Sequence, residues 1–159
     1  MQTNSPSMQK HLRRLEHVWV EPQIYLVTVC TRQRKRVLAT DAVAQELIAA
    51  LHEACNRTGW RVGRYVVMPD HVHFFCAPTP DADSLSDFIG LWKRWTTRRA
   101  WGLGHAGRLW QREFFDHLLR HDESYAQKWE YVAQNPVRAR LCESPEQWPY
   151  QGEIVALEM

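Results

Sequence analysis

A chain of 159 residues, 45% of them hydrophobic, is long enough for one domain with a proper core and short for two. Its four cysteines, Cys30, Cys55, Cys76 and Cys142, form no C-x-x-C pair and sit in apolar settings, which excludes a disulfide frame or zinc knuckle and reads as reduced core residues. The formal net charge of +2 is too small to announce a nucleic-acid binder, but it is unevenly spread, at +6 over residues 1–120 and −4 over residues 121–159.

In chain order, the opening MQTNSPSMQKHLRRLEH lacks the apolar run of a signal peptide, and no later stretch reaches membrane-spanning length, so a soluble cytoplasmic protein without membrane contact is expected. Residues 1–23 read as an N-terminal arm. From Ile24 to Thr31, IYLVTVCT is rich in β-branched and aromatic residues and predicts a strand. Thr40 or Asp41 can cap a helix with Val43, Leu47, Leu51 and Ala54 at helical spacing, which Gly59 ends. Trp60–Val67 predicts a second strand, Met68-Pro69-Asp70 a tight turn, and HVHFFCA a third strand paired with the second as a hairpin.

Ser84 then caps a helix that presents Leu85, Phe88, Trp92 and Trp95 along one side and lasts to about Trp101, where GLGHAG breaks it. FFDHLL, within Leu109–Arg120, predicts a fourth strand. The order β-α-β-β-α-β is that of the split βαβ, ferredoxin-like fold, an α+β architecture with an antiparallel sheet and helices on one face. Asp122 can cap a last helix through ESYAQKWEYVAQ, stopped by Asn135-Pro136, because a residue before proline avoids helical geometry. Its apolar stripe is Tyr125, Trp129 and Val132; Tyr131 falls roughly 120° from the centre of that stripe and need not be core. Residues 24–141 thus form a single domain, and residues 142–159 read as an acidic tail.

Two histidines stand one residue apart in the third strand. Positions two apart in a strand face the same way, so His71 and His73 project side by side while Val72 faces the other side. Burying two cationic imidazoles would be costly, whereas sharing a divalent cation meets the need of both. The bland alternative is a pair of partly exposed strand histidines. On the last helix, Tyr131 and Asn135 are four residues apart and can project in one general direction. Asn135 offers a hard oxygen and Tyr131 a phenol, so the set can polarise a phosphate and present a nucleophile to it. A tyrosine at a packing rim is the structural alternative for Tyr131.

The basic residues form two clusters, Arg32, Arg34, Lys35 and Arg36 in one, and Lys93, Arg94, Arg98 and Arg99 among Trp92, Trp95 and Trp101 in the other. Arginine beside indole suits phosphates and stacked bases, although basic residues on a helix are also an ordinary solvated face.

Taken together, YLVTVCTRQRKRVL, MPDHVH, LWQREFFDHLLR, EYVAQNPVRARL and the closing QWPY resemble the REP-associated tyrosine transposases, single-tyrosine members of the HUH endonuclease superfamily related to the IS200-like enzymes. The resemblance runs from about Ile24 to Tyr150. It implies that His71 and His73 are the metal-binding pair, that Tyr131 is the nucleophile, with Tyr125 its competitor, and that Asn135 stands where relatives place a polar third ligand. It implies magnesium or manganese, single-stranded or hairpin DNA as substrate, and a monomer or homodimer. Arg32, Arg34, Lys35, Arg36, Lys93, Arg94, Arg98 and Trp95 are then the expected DNA contacts.

Asp116 and His117 match a further family motif and are expected to support a ligand or a phosphate, although strand neighbours face opposite ways. Two rivals remain at this stage. One is a domesticated hairpin-binding protein that no longer cuts, and the other a metal-dependent phosphodiesterase that uses water and ignores Tyr131.

Overall fold

The computed structural model describes residues 23–157; most of the N-terminal arm, with His11 and His17, lies outside the described residues. The chain forms β1 (Tyr25–Cys30), a 3-10 turn at Arg32–Arg34, α1 (Asp41–Thr58), β2 (Trp60–Val67), β3 (His71–Pro78), α2 (Leu85–Gly102), β4 (Phe115–Leu118), α3 (Tyr125–Ala133), α4 (Asn135–Arg138), a second 3-10 turn at Pro145–Gln147, and β5 (Gln151–Glu153). The strands make one antiparallel sheet in the order β4-β1-β3-β2-β5. The first four strands and two helices follow the β-α-β-β-α-β order expected of the split βαβ fold.

Local chemistry explains most boundaries. The Thr40 side chain accepts a hydrogen bond from the Val43 amide at 3.3 Å, and α1 ends where Gly59 takes φ +78°. A Cβ at Gly59 would stand 2.9 Å from Thr79 Oγ1, so both conformation and space call for glycine. Ser84 caps α2 by accepting from the Asp87 amide. The β2–β3 hairpin turns through Pro69 and Asp70, with the Met68 amide bonded to the His71 carbonyl.

The last helix differs from expectation at both ends. Ser124, not Asp122, caps it, accepting from the Gln127 amide, because residues 120–123 are taken up in a turn closed by the Glu123 amide on the Arg120 carbonyl. Asn135-Pro136 does not stop the helical path either. α3 ends at Ala133 and α4 starts at Asn135, with Pro136 in the first turn, where a helix has no use for the missing N–H.

The sheet is covered on both faces. Val27, Val29, Val62, Phe74 and Cys76 pack against Leu47 and Leu51 of α1 and Phe88 and Trp92 of α2, all buried. The indoles in this layer are satisfied: Trp92 Nε1 donates to the Leu47 carbonyl and Trp110 Nε1 to Thr96 Oγ1. On the opposite face Ile24, Val66 and Phe75 meet Tyr125 and Val132 of α3. The two crossover helices therefore share one face, as expected, and the C-terminal helix closes the other. Among the described residues, no helix is long and apolar enough to cross a membrane.

The segment read from sequence as a tail adds the fifth strand. The Val67 amide bonds to the Tyr150 carbonyl, Trp148 Nε1 donates to the Val67 carbonyl, and β5 pairs with β2. Gly152 permits this approach, since a Cβ there would lie 2.7 Å from Tyr65 Oη. Gln-Gly-Glu has little strand propensity of its own; docking against β2 makes it a strand.

Candidate active site

The strand register sets the position of both histidines. Thr28 is opposite His73, and Cys30 is opposite His71. Val72, Phe74 and Cys76 are fully buried toward α1 and α2, so alternation turns His71, His73 and Phe75 to the face under α3. The Phe75 ring lies 4.9 Å from that of Tyr125, which fixes where the helix crosses this face. The two imidazoles are 4.7 Å apart, centroid to centroid, and nearly perpendicular.

Each imidazole is held through Nδ1. His71 Nδ1 is 2.7 Å from Asp70 Oδ1, and His73 Nδ1 is 2.7 Å from Thr28 Oγ1. The second Asp70 oxygen accepts from Arg34 Nε at 2.9 Å, and Arg34 Nη1 donates to Cys30 Sγ. Burial pushes the His73 pKa down to about 3, helped by the positive fields of His71, Arg138 and Arg34. Burial also lowers His71, outweighing the hydrogen bond and charge of Asp70. Burial opposes ionisation of Asp70, but its bonds to His71 and Arg34 prevail and hold its pKa below the ordinary carboxylate value. Both imidazoles are thus neutral near pH 7. The Asp70 carboxylate can only accept, so His71 carries its proton on Nδ1 and keeps the Nε2 lone pair that ligates a metal; His73 takes the same form when its Nδ1–H donates to Thr28 Oγ1.

This donor chemistry fits a divalent cation. Among the described residues, no three His, Cys, Asp or Glu side chains gather as a metal cluster, so a cation would rest on two imidazoles and complete its shell with amide, phosphate or water oxygens. Asn135 lies at the start of α4, with Nδ2 donating to the Val132 carbonyl and Oδ1 accepting from Arg138 Nη2 at 3.0 Å. Its oxygen already has a cationic partner in Arg138.

Tyr131 is 67% exposed, whereas its competitor Tyr125 is 9% exposed and its hydroxyl accepts a hydrogen bond from the Arg64 amide. The Arg138 guanidinium lies 4.3 Å from the Tyr131 ring centre and donates to the Tyr131 carbonyl. The field of the same guanidinium also reaches His73, where it adds to the lowering of the pKa by burial.

β4 is a regular strand. Leu26 is opposite His117 and Val27 opposite Asp116, so His117 shares the histidine face and Asp116 looks toward the α1–α2 side. His117 Nε2 is engaged by Glu123, 2.9 Å away, which also takes Lys128 and the Arg120 amide. The Asp116–His117 pair is therefore split between faces.

Of the expected DNA contacts, Arg32, Lys35, Arg36, Arg94 and Arg98 are exposed. Two others are already employed. Arg34 braces Asp70, and Lys93 Nζ donates to the carbonyls of Gln111, Arg112 and Glu113, holding that segment against α2. Trp95 is half-buried against the core. Sequence reasoning missed Asp70, Thr28 and Arg138. Asp70 had a local signal, a carboxylate directly before His71; Thr28 is found only through the β1–β3 register.

The family model for IS200-like transposases matches residues 20–135. A protein of Haemophilus influenzae, provisionally named a REP-associated tyrosine transposase, is 26% identical over 139 residues, covering 81% of this chain and 78% of that one. A REP-associated tyrosine transposase of Escherichia coli is 26% identical over 133 residues, covering 83% and 77%. A solved structure of a REP-associated tyrosine transposase bound to a REP hairpin superposes with a TM-score of 0.70 at 23% identity, covering 85% of this chain and 79% of the other, and shows the shared fold.

Proposed function

This chain belongs to the IS200-like transposase family, among relatives named REP-associated tyrosine transposases, and from that premise we propose that it nicks and rejoins single-stranded DNA at the foot of palindromic hairpins. The observation that carries the reading is the imidazole pair, each ring neutral and anchored through Nδ1, on the sheet face crossed by the helix that bears the exposed Tyr131. His71 and His73 hold a magnesium or manganese ion, with Asn135 as a further oxygen donor once Arg138 turns to the substrate. Bound there, the ion supplies Lewis-acid stabilisation of charge on the phosphate oxygens.

The chain's own residues do the rest. Tyr131 Oη forms a bond to phosphorus as the bond from phosphorus to the 3′ oxygen breaks. The phenolic proton is balanced by the one gained at the leaving 3′ hydroxyl, and the 5′ phosphate stays on Tyr131 as an ester. Attack by another 3′ hydroxyl reverses the step and joins the strands. Arg138, beside the Tyr131 ring, complements the phosphate's negative charge. The reading of hairpin DNA as substrate is supported by the relatives' naming and by the REP hairpin bound to the solved relative. A genomic DNA substrate supports a cytoplasmic site of action.

The test is incubation with labelled single-stranded hairpins from the genome's own palindromic repeats, with and without Mg²⁺ or Mn²⁺, followed by denaturing electrophoresis. The expected result is a metal-dependent covalent protein–DNA band that is lost in Tyr131→Phe. Cleavage that survives Tyr131→Phe removes the tyrosine from the reaction, and tight binding without cleavage in either metal favours a binder that no longer cuts.

A further inference from the structure

The α2 side of the molecule carries a groove of about 400 Å³ between the C-terminal half of α2 and the segment Arg108–Arg112. Lys93, Arg94 and Arg98 line one wall, Arg108 and Arg112 the other, and Trp101 is also in the lining. Among the described residues, no carboxylate forms an ion pair with Arg94, Arg98, Arg108 or Arg112, whereas Arg99, on another side of the same helix, is held by Glu46 and Glu53. Positive charge in this groove is crowded: burial lowers the pKa of Lys93, and the field of Arg108 lowers it further against a smaller opposing effect of Glu113. Such a concentration of cations favours an anionic occupant.

The shape of the groove narrows the kind of anion. Trp101 is 53% exposed, and its Nε1 donates to the Gly107 carbonyl, so the indole is pinned by its edge while much of its surface meets solvent. A pinned aromatic surface among arginines suits an unpaired base attached to its phosphates. The position of the groove fits as well. The Gln111 amide bonds to the Cys30 carbonyl, and Cys30 is opposite His71, so the backbone of the groove segment lies two strand spacings, about 10 Å, from that of the strand carrying the imidazole pair. The Arg32 amide bonds to the Leu109 carbonyl, which sets the Arg32–Arg36 cations beside the same segment at the end of β1. The acidic C-terminal segment pairs at β5, the opposite edge of the sheet, and none of its described residues lines the groove.

We infer that this groove is a second nucleic-acid site, holding the phosphates of the DNA strand that continues past the histidine site and stacking one of its unpaired bases on Trp101. The inference rests on the strand-transfer reading above and adds to it a contact on the other side of the sheet. DNA then passes around the end of β1, with the Arg32–Arg36 turn between the two sites.

The experiment is a fluorescence-anisotropy titration of the full chain with a labelled hairpin bearing a single-stranded extension, without divalent metal, over a series of salt concentrations. Arg108→Ala/Arg112→Ala is compared with Arg57→Ala/Arg61→Ala, which removes equal charge from exposed positions outside the groove. The groove variant is expected to reduce the slope of log affinity against log salt by about 2, with the control unchanged. Trp101→Ala should weaken binding of the extended hairpin by about five- to hundredfold, with Trp101→Phe restoring most of it and a hairpin without extension indifferent to both. If wild type binds the hairpin and the groove variants bind it with the same affinity and slope, the groove inference is overturned and the strand-transfer reading stands. If wild type binds no hairpin, both fall together.

Discussion

Asp70 offers the sharpest probe of the histidine site. Its carboxylate accepts from His71 Nδ1 at 2.7 Å and from Arg34 Nε at 2.9 Å, so it fixes the ring and raises the basicity of the opposite nitrogen. Asp70→Asn keeps the shape and an acceptor oxygen but removes the charge, and Asp70→Ala removes both. Loss of a carboxylate behind a ligating imidazole costs about 10- to 100-fold in metal affinity, or about 1.4–2.7 kcal/mol. The stability cost should be smaller. Arg34 is 52% exposed at the side chain, and a pair so screened by solvent contributes only about 0.5–1 kcal/mol. Affinity should therefore fall further than stability, and more in Asp70→Ala than in Asp70→Asn. Titration with Mn²⁺, followed by the electron paramagnetic resonance of the free ion, reads the affinity; thermal unfolding reads the fold; His71→Ala sets the level of full loss. Wild-type affinity in Asp70→Ala, alongside loss in His71→Ala, would refute the bracing role. No Mn²⁺ binding by wild type would refute the metal site itself.

Thr28→Val removes the hydroxyl paired with His73 Nδ1 and should destabilise the fold by about 1–3 kcal/mol in urea, an unpaired buried nitrogen being the cause; an unchanged midpoint would mean that water takes the place of the hydroxyl. Tyr125→Phe loses the bond to the Arg64 amide and should cost about 1 kcal/mol while the covalent DNA product still forms, the reverse of Tyr131→Phe; loss of the covalent product in a folded Tyr125→Phe would move the nucleophile to Tyr125. The folded pKa of His73, about 3, lies below its unfolded value of 6.5, so in that window the unfolded chain binds a proton that the folded chain does not. Stability should therefore fall as pH drops below 6.5, by about 2 kcal/mol from this residue at pH 5. Urea unfolding of wild type and His73→Gln at pH 7.5 and pH 5 checks this, and an equal decline in both would assign the effect to other groups.

Much of the molecule was legible in the order of its residues. Trp60–Val67 and HVHFFCA were recognisable as strands from β-branched and aromatic content, Thr40, Gly59 and Ser84 marked helix ends through their own backbone bonds, and alternation alone placed His71 and His73 on one face. These signals are local: they arise between residues a few positions apart and are present before the chain closes. What needed the tertiary structure was every partner supplied from a distance. Thr28 reaches His73 across 45 positions only because β1 and β3 pair in one register, and Arg34 reaches Asp70 through the turn after β1. Gln151–Glu153 becomes a strand by docking on β2, against its own weak propensity. Likewise Arg94 and Arg98 were expected DNA contacts from the sequence, but only the fold lays Arg108 and Arg112 opposite them. Propensity and periodicity act along the chain, whereas register, burial and the field of a neighbouring charge exist only once distant segments have met.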